Sequence, residues 1–249
     1  MLKLKTAILA AALIFGVFAV IPYAQQTTTA PATAPQEPTV DFPSPDEKPP
    51  VFLTSEQEKR RAKSAIYDRP KSLPIKETPG MTYIPLSDHW WLRLPALPVA
   101  QSDAVVLGVI ADCHAFFSND RHVVYSEFSL QPEQILKDDT NSVGLGFPVT
   151  TTRLGGVVRF PSGRTQTYHR LKQSWPIPGR RYVLFLRRNE AGDFDIVTGY
   201  EFRDGTAQPL DGTPGIKTEH ELRKYEGTSE AALLELIKTA IANSPGEHQ

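Results

Sequence analysis

The sequence is poor in cysteine, poor in glycine over a long early stretch, and empty of the short motifs that mark common catalytic sites. Cys113 is the only cysteine in 249 residues. No intrachain disulfide can form, and a disulfide-knotted mini-protein is excluded. Gly80 is the one glycine between residues 25 and 98, so that stretch is no flexible glycine-rich linker. Only one long apolar run is present, which excludes a multi-span membrane protein. Hydrophobic residues are 40% and the net charge is -1, which excludes a fully disordered chain, and the glycine content excludes a collagen. There is no G-x-S-x-G elbow, no phosphate-binding G-x-x-x-x-G-K-[ST] loop and no G-x-G-x-x-G opening a helix. The zinc spacings H-E-x-x-H and paired C-x-x-C are missing as well.

Proline is in excess, with 22 residues, 13 of them between 25 and 98. The N-terminus carries Lys3 and Lys5, then an uncharged apolar run over 7–24. A short positive region, an apolar region and then small residues form the pattern of a secretory signal. Pro22 breaks the run just before Ala24, where cleavage would fall. The other reading is an uncleaved anchor, because 18 apolar residues can just span a thinned bilayer. Both place the rest of the chain outside the cytoplasm, because the lysines favour the inside. Residues 6–24 would then be a membrane tether if retained.

Four segments are expected: a leader over 1–24, a proline-rich arm over 25–53, a short helix plus an extended segment over 54–98, and a β-domain over 99–243. Seven prolines and no glycine make the arm either semi-rigid and polyproline-like, reaching roughly 80 Å, or plainly disordered. Thr54 and Gln57 fit a capping box for a helix from 54 to 66. That helix has hardly any apolar face, so an exposed, marginal element is expected. Residues 67–98 carry Tyr83, Ile84, Leu86, Trp90, Trp91 and Leu92 among spaced prolines. So much apolar area points to a segment lying across the following domain, or to an exposed aromatic patch for a partner.

From Val99 the texture is of short β-runs between turn residues. Residues 104–111 are apolar on both faces, a central strand, with Gly108 marking a bulge or close approach. Residues 122–130 alternate, with Val124, Phe128 and Leu130 on one side. Strands over 147–154 and 156–160 meet at Gly155 and Gly156, a kink or bulge. Pro161-Ser162-Gly163 turns a hairpin. Residues 181–187 form a second central strand, 193–198 another, and Gly205 turns a last small hairpin. Ser229 starts a helix whose buried face is Leu233, Leu236, Ile237 and Ile241. The fold expected is mainly β: a small antiparallel OB-like barrel, or a sandwich, of about six or seven strands with a C-terminal helix.

The near-zero net charge hides an asymmetry. Residues 150–189 hold Arg153, Arg159, Arg164, Arg170, Lys172, Arg180, Arg181, Arg187 and Arg188 and no acid, leaving -10 for the remainder. Arginine suits carboxylates and phosphates, so one reading is an anion-binding surface for an acidic polysaccharide, a lipid headgroup or an acidic partner. Nucleic acid is not expected for an exported chain without overall basic charge. The other reading is pairing with Glu190, Asp193, Asp195, Glu201 and Asp204 on the neighbouring strand and turn. Asp112, Cys113 and His114 are the only dense cluster of ligand types. In a strand, Asp112 and His114 share a face and Cys113 points away. Two ligands do not define a metal site, and a third would have to come from His122 or His169. No metal and no cofactor is expected, and Cys113 reads as a buried, inert thiol.

The segments SDAVVLGVIAD, VVYSEFSLQPEQILKDD, RRYVLFLRRN and DFDIVTGYEF, over roughly 102–200, resemble exported bacterial domains of unknown function. In pattern they are similar to the OB-fold barrel of netrin-type modules and tissue metalloproteinase inhibitors. The resemblance implies a barrel. It implies no inhibitor chemistry, because those inhibitors chelate a protease metal through a disulfide-bonded N-terminal cysteine, and Cys113 is alone and internal. The function expected is that of an exported, non-enzymatic module binding a macromolecular or anionic partner. The alternatives are an exported enzyme with a dispersed site around Asp112, His114 and His169, and an OB-type hydrolase inhibitor presenting a wedge from residues 86–98.

Overall fold

An apolar run without charge cannot leave either side in water, and residues 104–110 show where both sides go. The computed structural model describes residues 36–44, 52–86, 94–212 and 220–244. All belong to one unit, Pro35–Gln249; the other unit, Met1–Ala34, lies outside the described residues, and the leader with it. The first two strands in chain order are β1 (Thr39–Asp41) and β2 (Tyr83–Leu86), followed by β3 (Ala104–Phe117). On β3, Ala104, Val106 and Ile110 join one core, while Val105 and Leu107 join another. Alternation along a strand thus feeds two hydrophobic layers at once.

The first layer fills a barrel-like sheet. β3 runs antiparallel to β4 (Val124–Asp138) on one side and to β8 (Arg181–Arg188) on the other. β4 pairs antiparallel with β5 (Val149–Leu154). β8 pairs antiparallel with β9 (Phe194–Arg203), and β9 meets β5 in parallel. That parallel seam holds only Thr151↔Phe194 and Thr152↔Asp195, so the sheet curls round without strict closure. β10 (Thr206–Pro209) extends the edge of β9. Phe128, Leu130, Leu184, Leu186, Phe194 and Ile196 fill the interior. Gly108 sits at a register shift between β3 and β4, and a Cβ there would lie 2.2 Å from the Gln131 carbonyl oxygen. Only glycine permits that approach.

The second layer lies under α3 (Glu230–Asn243), where Leu233 and Ile237 are buried against Val105, Val183, Phe185 and Tyr200. Ser229 caps the helix by accepting from the Ala232 N–H. The buried face is narrower than the spacing implies. Leu236 is 39% exposed and Ile241 only partly buried. The contact is centred between Leu233 and Ile237, and Leu236 lies about 80° round from that centre. A second short helix, α2 (His220–Arg223), precedes it.

The fold is mainly β as expected, with ten strands in two sheets among the described residues; eight of them follow Val99, where six or seven were expected. The second sheet is ordered β1-β6-β7-β2, with β6 (Gly156–Arg159) and β7 (Thr165–Arg170) forming the hairpin turned at Pro161-Ser162-Gly163. Gly155, at φ +98°, lets the chain leave β5 and enter the other sheet as β6. β1 pairs in parallel with β6, and β2 in parallel with β7. Residues 39–41 fall in the stretch expected as a free arm. They are held because Phe42 stacks on Phe160 and sets its edge against Phe117. Within the segment expected to lie across the domain, residues 83–86 pair with β7; Trp90 and Trp91 fall outside the described residues.

The first helix, α1 (Ser55–Ala65), has the capping box: the Gln57 N–H donates to Thr54 Oγ1 and the Thr54 N–H to Gln57 Oε1. Most of its residues are exposed, as expected, but one face is tied down. Arg60 and Lys63 both pair with Glu127, and Lys63 also reaches Asp193. Ser64 Oγ bonds the Tyr125 hydroxyl at 2.9 Å, and the Arg60 guanidinium lies 3.8 Å from the centre of the Phe116 ring. Polar and cation–π contacts replace the apolar face that the helix lacks.

Candidate anion-binding cleft

The basic block divides by environment. Arg153, on β5, is 4% exposed and forms a two-pronged pair with Asp211 at 2.6 and 2.7 Å. Asp211 also accepts from Thr198 Oγ1 at 2.7 Å and from the Ser174 N–H at 2.9 Å. This is a structural tie. Arg180 pairs with Glu201 at 3.0 Å, and Arg181 with both Glu133 and Glu230 at 2.5 Å. At the surface, Arg159 meets Asp41 at 3.2 Å and Arg164 meets Glu77 at 3.5 Å. Arg170 and Lys172 engage neighbours too.

Of the acids expected as partners, Glu201 takes Arg180. Asp193 is occupied by Lys63, and Asp195 accepts from Thr152 Oγ1 at 2.7 Å and Asn189 Nδ2 at 3.1 Å. Asp195 lies across from Arg187 in the strand register, yet no ion pair joins them. Arg187 and Arg188 are exposed at the end of β8 and form no ion pair among the described residues. The Arg188 backbone N–H donates to Asp103 Oδ2 at 2.6 Å and its guanidinium Nη1 to Ser142 Oγ at 2.5 Å.

These two arginines line a cleft of about 680 Å³. Its walls come from the end of α1 and the residues after it (Ile66, Tyr67, Arg69), from β5 (Thr152, Arg153) and from the β8–β9 turn (Asn189, Glu190). Tyr67 is fixed by stacking on Tyr125 and by donating its hydroxyl proton to Thr152 Oγ1 at 3.0 Å. Five arginines line the cleft (69, 153, 170, 187 and 188) against two acids, Glu190 and Asp195. The volume is that of a small-ligand site, and Arg187 and Arg188, exposed and without an ion pair among the described residues, favour an anion.

No family model matches the chain, and comparison with curated proteins and with solved structures finds no match.

The other candidate residues lie elsewhere. Asp112 Oδ2 and His114 Nε2 are 2.7 Å apart on the exposed side of β3, with Cys113 on the other side. Burial, and then the Asp112 charge, push the Cys113 thiol up to about 11, so it is protonated and unreactive at neutral pH. His169, on β7, bonds the Tyr83 hydroxyl and packs edge-on against Trp175. It lines a separate cavity of about 410 Å³ that includes neither Asp112 nor His114. Burial, followed by the Arg153 charge, lowers its pKa below the ordinary 6.5. His122 donates its Nδ1–H to the Arg69 carbonyl oxygen at 2.8 Å, so that ring is tied to Arg69. Among the described residues no group of three His, Cys, Asp or Glu side chains could hold a metal. Most of the 86–98 wedge lies outside the described residues. Composition did not point to Arg69, which sits far from the basic block and reads locally as a helix stop. No local signal marks Tyr67, Thr152 or Asn189 as cleft residues.

Proposed function

We propose that the chain is an extracytoplasmic, non-enzymatic binding module on an OB-type barrel, and that its arginine-lined cleft takes an anionic group of a macromolecular partner. The strand order supports the OB-type reading. β3, β4 and β5 form an antiparallel meander, β5 meets β9 in parallel, and β8 lies antiparallel between β9 and β3. A five-stranded, partly open barrel is the OB architecture, and such barrels hold oligosaccharides and oligonucleotides near their central strands and the loop between the last two. The cleft borders β5 and the β8–β9 turn. Export disfavours nucleic acid, so a phosphate, sulfate or carboxylate borne on another extracytoplasmic macromolecule is the ligand group.

The observation that carries the proposal is the pair Arg187 and Arg188, exposed, without ion pairs among the described residues, and lining the cleft. Binding to a sulfated polysaccharide at graded salt tests it. The double variant Arg187→Ala/Arg188→Ala should lose at least about tenfold in affinity, whereas Arg159→Ala/Arg164→Ala, which removes surface pairs, should change it by less than about threefold. Absence of salt-sensitive binding, or equal losses in the two variants, overturns the proposal.

A further inference from the structure

The loop from β4 to β5 presents two apolar side chains to solvent at the same end of the barrel as Arg187 and Arg188. Leu145 is 58% exposed and Phe147 is 72% exposed. The loop is built to hold them there. Asp138 accepts from the Thr140 N–H at 3.1 Å, the Thr140 hydroxyl at 2.8 Å and the Val143 N–H at 2.9 Å. Val143 packs against the barrel core. Gly146 takes a positive φ of 85° between the two apolar residues. The Arg188 guanidinium donates to Ser142 Oγ, which ties the loop to the end of β8. Of the acids at the end of β4, Asp138 bonds within the loop and Asp139 pairs with Lys137 at 2.8 Å.

We infer that Leu145 and Phe147 insert into an anionic lipid bilayer while Arg187 and Arg188 meet its headgroups. The inference rests on the anionic reading of Arg187 and Arg188 above and names the partner as a membrane surface. Two side chains are too small for a protein partner, since an aromatic side chain buries roughly 150–250 Å² and a stable interface needs about 800 Å² on each side. A soluble anion gains nothing from the apolar pair. Apolar side chains beside cations are what an anionic interface selects, because the tails take the first and the headgroups the second.

The test uses the full chain carrying Phe147→Trp, with vesicles whose acyl chains are brominated. The chain has three native tryptophans, so the wild type supplies the background. Phosphatidylglycerol vesicles should quench the introduced indole beyond that background, and phosphatidylcholine vesicles should not. Leu145→Ser, or Arg187→Ala/Arg188→Ala, each added to Phe147→Trp, should raise the lipid concentration needed by at least about fivefold. Because the readout sits in the loop, vesicle binding through residues 6–24 does not imitate it. No quenching beyond the wild type overturns the lipid inference; if polysaccharide binding still depends on Arg187 and Arg188, the cleft reading stands alone. Equal quenching by both lipids, or quenching indifferent to the arginines, overturns the anionic part. Glycerol phosphate competing as well as vesicles identifies a free anion as ligand and also overturns the inference.

Discussion

Arg153 and Arg187 belong to one basic block, and they teach different things. Arg153 is enclosed with Asp211, and its charge serves to tie β5 to the residue just past β10. Arg187 stands at the exposed end of β8, across from an aspartate that bonds elsewhere. The contrast separates charge that holds a fold from charge left available to a ligand. A buried pair is costly to break because the survivor is left desolvated. An exposed unpaired arginine adds little to stability, and its removal is felt chiefly in binding.

The largest effect expected is from Asp211→Ala. It strands the Arg153 guanidinium and also removes the acceptor of Thr198 and Ser174. A loss of about 3–5 kcal/mol is expected in urea unfolding. Replacing both partners, as Arg153→Met/Asp211→Leu, should recover most of that loss, and a double variant as unstable as the single would mean the pair contributes more than its own desolvation. Leu233→Ala should cost about 2–5 kcal/mol by opening the layer under α3, against less than about 0.5 kcal/mol for the exposed Leu236→Ala.

His169 offers a subtler probe of the Arg153 neighbourhood. Its pKa is lowered in the folded chain, by burial first and Arg153 second. The unfolded chain therefore binds a proton more readily. Stability contributed by neutral His169 is present above about pH 6.5 and is lost as the pH falls from there toward the lower folded pKa. His169→Asn should flatten that part of the stability–pH curve, and an unchanged slope would assign it to other groups. The smallest effect concerns the exposed arginines: Arg187→Ala/Arg188→Ala should shift stability by less than about 0.5 kcal/mol while weakening anion binding at least about tenfold.

Much of the barrel was legible from local pattern. The unbroken apolar runs of β3 and β8, the turn at Pro161-Ser162-Gly163 and the helical spacing after Ser229 each carry their own physical signature. β1 and β2 do not. Each is three or four residues long, lies among prolines, and takes its partner from far along the chain. The docking of α1 was hidden for a related reason, since Arg60, Lys63 and Ser64 read as a solvated face until Glu127 and Tyr125 are brought beneath them. The candidate site was legible as an excess of arginine and not as a place. Composition could count nine cations, but only tertiary register shows that Asp195 turns to Thr152 and Asn189 rather than to Arg187.

The parallel flanks of the smaller sheet carry a consequence for how the chain can be cut. Its hairpin, β6 with β7, is covered on both outer edges by strands that precede residue 99. A fragment beginning at Val99 would keep every strand of the barrel-like sheet yet leave two bare rows of peptide groups. Bare rows recruit other chains. Residues 39–41 and 83–86 thus act as guards against self-association, and the working boundary of the folded unit lies upstream of β1.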